Sequence, residues 1–344
     1  MRSAAVVMLA GFGVFLLVTG VLVREYVAPT LVRAPTDIYK VQRLRAENAS
    51  YFDAGKLQVR TGASVTATAT VRGDVRASGD DVAVWDMTTV IEDPERGYLI
   101  DVATRRLAFD RRTGELVHCC GAAVQGDASV RQSGIGVFWP TEVERRTYRM
   151  FDVQTRRSWP IEFTGVEEVG GIEAYRFEMH VPRTKVAAET PDVPARLLGL
   201  DGDGAVPVDR YYQGDSVTWV DPRTGAPIGQ RQRVRSTLQA RSGPGSLVVA
   251  DLEMRMTPQD AKALAGTAND AAAQVRMLRT IVPLGAAALG VVLLASGILL
   301  DRRGGRNRRR TAAPAGGPPR RPSPRKRHRE RTRPAARTAG PGDG

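Results

Sequence analysis

The arrangement of apolar positions divides the chain into three regimes. Two uncharged runs of 21 residues, Ser3 to Val23 and Thr280 to Leu300, bracket a long stretch in which apolar residues mostly alternate with polar ones. A helix rises about 1.5 Å per residue, so each run is long enough to cross a hydrocarbon core of roughly 30 Å. Both predict transmembrane helices, over residues 1–23 and 280–300. A cleaved signal peptide would have a shorter apolar core ending in small residues. The first run instead exits through Val21-Leu22-Val23-Arg24-Glu25, which favours an uncleaved anchor.

Between the runs the dominant period is two. Val65, Ala67, Ala69 and Val71 fall on one face of a strand, and Ser64, Thr66, Thr68, Thr70 and Arg72 on the other. Val82 to Ile91, with Trp85, predicts a second and more fully buried strand. Further strands are expected over Tyr148–Asp152 and Trp159–Val169, and where Tyr175, Phe177, Met179 and Val181 alternate with Arg176, Glu178 and His180. Strand-rich sequence resumes from Tyr211 to Met256. Asp110 to Gly114 and Asp221 to Gly225 share the pattern Asp-x-Arg-Thr-Gly between apolar arms, which predicts two hairpins with an Asp-capped turn and a left-handed Gly. Residues 182–209, rich in Pro and Gly, predict mainly an irregular loop. The fold expectation is a mainly β extracytoplasmic domain over residues 24–256, a large antiparallel curved sheet or sandwich, between two transmembrane α-helices.

Thr257-Pro258-Gln259-Asp260 carries a hydroxyl cap, a first-turn proline and an acid at the positive end of a helix dipole, predicting a juxtamembrane helix over 257–279. In the second run, Ala286 and Gly290 offer a small-residue face against which the first run can pack.

The formal charge of +13 is unevenly placed. Residues 24–279 hold 34 basic and 34 acidic side chains, whereas residues 301–344 hold 15 basic and 3 acidic. With almost no apolar residue, the tail over 301–344 is expected to be disordered. Arginines beside a span mark its cytoplasmic end, so both termini are expected inside the cytoplasmic membrane and the main domain outside. Arg302, Arg303, Arg306, Arg308, Arg309 and Arg310 are candidate contacts for anionic phospholipid headgroups. Nucleic acid ranks last as a partner, because no aromatic residue is interleaved for base stacking.

Candidate chemistry is sparse. Cys119 and Cys120 are adjacent, and two buried free thiols are preferred over a vicinal ring or a link between chains. His118 beside them lacks a second ligand pair, so no metal and no cofactor are expected. His118 and His180, the histidines of the main domain, sit in no recognisable motif, and no catalytic residue is assigned. Trp85, Trp139, Phe177 and Trp219 are candidate lining residues for an amphiphile, each of them otherwise a core residue.

Several stretches together resemble the actinobacterial porin PorA family of membrane proteins. They are Tyr51-Phe52-Asp53, Val82 to Asp86, Phe109 to Gly114, Val166 to Gly171 with Tyr175-Arg176-Phe177, and Trp219 to Gly225, in that order between two terminal spans. The resemblance covers roughly residues 1–300 and implies an envelope protein of a high-GC Gram-positive bacterium, with no catalytic residues to carry over. The strands argue against a membrane barrel, since their outward faces carry Thr, Arg, Glu and Asp where a lipid-facing band needs apolar residues. The leading expectation is therefore a non-catalytic, membrane-anchored domain binding an envelope lipid, glycopolymer or partner protein. The alternatives are a pore-forming envelope protein and a hydrolase with a carboxylate site that no motif marks.

Overall fold

The structure, a computed structural model, describes residues 2–28, 32–186 and 192–311, with side chains between Ala4 and Arg302. Helix α1 (Arg2–Leu22) runs into a short π-helical turn at Val23–Val27. Strand β1 (Tyr39–Asp53) lies where none was expected, and β2 (Gln58–Gly73), β3 (Val82–Asp93), β4 (Tyr98–Asp110), β6 (Tyr148–Asp152), β7 (Arg157–Val169), β8 (Ile172–Lys185) and β11 (Val208–Val220) include the expected strand segments. The two-residue β5 (Ala123–Val124) and the pair β9 (Val193–Pro194) and β10 (Ala205–Val206) fill the longer connections, and β12 (Pro227–Ala240) and β13 (Ser246–Met256) complete the set. Helix α2 (Pro258–Arg276) passes through a second π-helical turn, Met277–Ile281, into α3 (Val282–Thr311).

Eleven strands form one antiparallel sheet in the order β5-β4-β3-β2-β1-β13-β12-β11-β8-β7-β6. A single curled sheet, rather than a sandwich, is thus the form the expected β domain takes. Its two edges meet through two short bridging segments. Leu116 pairs with Phe109 of β4, Glu115 pairs with Ile135, and Ile135 pairs in parallel with Met150 of β6. The backbone bonds Leu116 N–H to Gly134 O and Ile135 N–H to Arg149 O, both 2.7 Å, occupy edge groups that would otherwise be open to water or to another strand.

The curled sheet is filled. Val65 and Ala67 of the predicted alternating strand pack with Tyr51, Leu252 and Met254. Trp85, Leu107, Phe109 and Phe151 form a second cluster, with the Trp85 and Phe109 rings edge to face at 4.7 Å. Trp139, from the segment between β5 and β6, inserts against Tyr148, Ile161 and Phe177. On the opposite face of β8, Ile172 and Ala174 meet Ala265 and Ala268 of α2, which holds that helix on the outside of the sheet. The cap of α2 is the one read from sequence, Thr257 Oγ1 accepting from the Asp260 N–H at 3.1 Å.

Both predicted hairpins are present. Asp110 Oδ1 accepts the backbone N–H groups of Arg112 and Thr113, each at 2.8 Å, and Gly114 takes φ +73°. Asp221 repeats the arrangement, with Gly225 also at φ +73°. Among the described residues, Asp53, Asp74, Asp93 and Asp152 cap further turns in the same way.

One expectation is overturned: Cys119 and Cys120 are not free thiols but are joined to each other. They lie at the surface, in a turn where Cys120 and Gly121 both have positive φ. Alkylation of the native protein without reductant is expected to label neither cysteine, and alkylation after reduction to label both, as read by intact mass. α3 also continues beyond Leu300 to Thr311, past the expected end of the span. Residues 301–311 of the tail expected to be disordered over 301–344 are therefore helical, and 312–344 lie outside the described residues.

Candidate membrane face and the cleft beneath the sheet

The two apolar helices pack as an antiparallel pair along a seam of small residues. A Cβ added at Gly13 would stand 2.8 Å from the Gly290 carbonyl oxygen, and one at Gly290 would stand 2.7 Å from the Gly13 oxygen. The backbones therefore approach where both lack a side chain. Farther along, Gly20 faces Pro283 and Ala286, and Gly297 faces Val6 and Leu9. Such packing suits an apolar solvent, in which hydrophobic burial no longer drives association and close backbone contact does. The small-residue face expected at Ala286 and Gly290 is the one in use.

Away from the seam, large apolar side chains point outward. Val7 and Met8 are 70% and 72% exposed, and Phe12, Phe15, Leu284, Val291, Val292 and Leu299 are each more than half exposed. A patch of this kind in water would be unfavourable by roughly 25 cal/mol per Å². Two segments, Ala4–Val27 and Pro258–Arg302, are helical, long and apolar enough to cross a membrane.

Where the helices meet the sheet, charge returns. The π-helical turns bring Arg24 and Glu25 near Arg276 and Arg279, and the loop before β6 reaches down so that Glu142 pairs with Arg279. The turn after β11 adds a second tie: Arg223 Nη2 donates to Asn269 Oδ1 of α2 at 2.8 Å while its Nε donates to the buried Asp221 carboxylate at 2.8 Å. Hydrogen bonding to Asp221 holds the Arg223 pKa above its ordinary value. Together these elements border an open cleft of about 970 Å³, with Tyr175 and Val143 on its sheet side.

The four aromatic candidates do not converge on that cleft. Trp139 and Phe177 touch within one cluster, at 4.6 Å between ring centres, and Trp85 belongs to another. Trp219 lies on the outer side near α2, its indole N–H donating to Glu167 at 2.7 Å. Of the arginine candidates, Arg302 is exposed at the end of the described side chains, and the side chains of Arg303, Arg306, Arg308, Arg309 and Arg310 lie outside them. The site residues that sequence reasoning missed are Arg279, Glu142, Arg223 and Asn269. Only the hairpin carrying Arg223 left a signal. Among the described residues, no group of three or more His, Cys, Asp or Glu is placed to hold a metal.

A family profile described as Porin PorA matches residues 5–299, from the first apolar helix through the sheet to the second. The chain belongs to the porin PorA family. Relatives include a Porin PorA of Corynebacterium amycolatum, 26% identical over 173 residues, and one of Corynebacterium resistens, 24% identical over 193 residues. Each alignment covers 40% of this chain, and the chain spans 45% and 47% of the two relatives. Membership in the PorA family, with the two exposed apolar helices, makes this a membrane-associated protein. It also corrects the leading functional expectation. The profile and both relatives carry the name porin, which supports the pore-forming alternative over a domain that binds an envelope lipid, glycopolymer or partner. The polar outward faces of the strands exclude only a barrel crossing by strands, and in this PorA-family chain most of the exposed large apolar side chains are on the helices.

Proposed function

We propose that this chain is a porin-type, pore-forming protein of the bacterial envelope. The observation that carries the reading is the PorA-family match from the first helix to the second, residues 5–299. In this reading α1 and α3 form a two-pass hairpin with both termini cytoplasmic, the sheet stands outside, and the arginines from Arg302 onward rest on anionic headgroups. The sheet of one chain offers no water path, because Trp139, Tyr51, Phe109 and Phe177 are fully buried inside it. A hairpin of two helices encloses nothing either. Pore formation therefore calls for several chains whose helix pairs stand side by side, with the small-residue seam keeping each pair rigid.

Vesicles loaded with a small self-quenched dye test the reading. The full chain, reconstituted at rising protein-to-lipid ratio, should release the dye with a steeper than linear dependence on that ratio. Intact dye retention by vesicles shown to contain inserted protein would remove the proposal.

A further inference from the structure

A second cleft, of about 580 Å³, lies at the β6–β7 hairpin and is bordered by four arginines, Arg131, Arg149, Arg156 and Arg157, and by no acidic residue. The domain as a whole has as many carboxylates as cations, so this segregation is a matter of placement and not of composition. Some arginines elsewhere are matched, as where Arg106 holds both Asp74 and Asp86 and Arg176 holds Glu167 and Glu178, and others, such as Arg43, form no ion pair among the described residues; what sets this cleft apart is that four arginines are gathered in one place. Here only Arg156 reaches a carboxylate, Asp127 at 2.9 Å, from outside the lining. Asp127 stays ionised, since hydrogen bonds from Ser129 lead the effects that lower its pKa. Among the described residues, Arg131, Arg149 and Arg157 form no ion pair. The cleft thus keeps a local excess of three positive charges.

The remaining lining braces these arginines. The Ser158 hydroxyl donates to the Ser133 carbonyl oxygen at 2.7 Å and accepts from the Ser133 hydroxyl at 2.8 Å, so the serines brace the wall and the donors left for an anion are the guanidinium groups, with Arg149 steered by donating to the Ser158 carbonyl oxygen. Trp159 is fixed by its N–H to Thr155 Oγ1 at 2.9 Å, giving one apolar side. Arg156 is held at φ +56°, a conformation unfavourable for a residue with a Cβ, at the point where the hairpin turns two arginines toward the cleft. Guanidinium forks match phosphate oxygens in pairs, and crowding unpaired cations is unfavourable unless an anion joins them.

We infer that this cleft binds a doubly charged oxyanion of the phosphate class, either free or carried on a small solute. The inference stands on the cleft alone and is independent of pore formation. Titration calorimetry on the full chain in detergent, at constant ionic strength in chloride, uses inorganic phosphate in one arm and glucose 6-phosphate in the other. Saturable binding of at least one is expected, and the tighter of the two names the source. Arg131→Gln with Arg157→Gln should weaken it by at least about tenfold. Arg157→Lys should retain part of it, and Arg43→Gln, an exposed arginine on β1, should change nothing. The side chains of Arg131, Arg157 and Arg43 hold no other part of the fold, and unchanged thermal unfolding of all three variants without ligand checks this. No saturable binding of either probe by the wild-type protein, or equal binding by the double variant, overturns the inference.

Discussion

Gly290→Ile is expected to abolish dye release by the reconstituted protein while leaving the β domain folded. The new Cβ would stand 2.7 Å from the Gly13 carbonyl oxygen and 3.0 Å from Leu17 Cγ, and the first of these is backbone that has nowhere to retreat within a helix. Overpacking of this kind costs about 1–3 kcal/mol even in adaptable cores, and the remaining atoms of isoleucine would hold the helices apart along the seam. Gly285→Ile is the control, because a Cβ there meets nothing within 4 Å. Separation can be read directly. At Gly20 and Ala286 the Cβ positions lie 3.5 Å apart, within the range that a disulfide spans, so Gly20→Cys with Ala286→Cys should cross-link on mild oxidation. Fragments remaining joined after proteolysis between the helices would report the link. Adding Gly290→Ile should lower its yield several-fold, and an undiminished yield would mean that the seam does not hold the pair together.

Asp221→Ala should produce the largest loss of stability among single changes in the sheet. The carboxylate is fully buried and accepts from Arg223 N, Nε and Nη2 and from Thr224 Oγ1, all between 2.8 and 3.0 Å. Removing it leaves several donors unmatched, two of them on the Arg223 guanidinium, at a cost of about 3 kcal/mol. For a domain of this size that corresponds to a fall in Tm of about 6–12 °C. Arg223 also holds Asn269, so the change should loosen α2 from the sheet as well as open the hairpin. Asp110→Ala removes a similar cap from a more exposed turn and should cost clearly less. Tryptophan fluorescence during thermal unfolding checks both, since Trp219 lies in β11 two residues before Asp221.

Much of this architecture is written in local patterns. The helices announce themselves because 21 uncharged residues in a row have few other uses, and β2 because its faces separate cleanly by side-chain type. The Asp221 and Asp110 turns were legible from a shared five-residue pattern. The turns at Asp53, Asp93 and Asp152 use the same capping without that pattern, and so left no repeat to notice. Closure of the sheet could not be read at all, because the bridging pairs at Glu115, Leu116 and Ile135 are too short to show a period. Sequence favours free thiols at Cys119 and Cys120 because adjacent cysteines seldom pair, whereas the structure joins them. The arginine cleft was hidden for another reason: Arg131 and Arg157 are distant in sequence, and a neutral domain gives no hint that its cations are gathered. Function was the least legible, because a pore of the kind proposed, built by several chains, would leave no motif in one.

Single-channel recording in planar bilayers tests the central claim most directly. The full-length chain should give discrete conductance steps, retained by Gly285→Ile and absent with Gly290→Ile. A flat baseline from wild-type protein whose insertion has been verified, or steps of equal size and frequency from Gly290→Ile, would contradict the account.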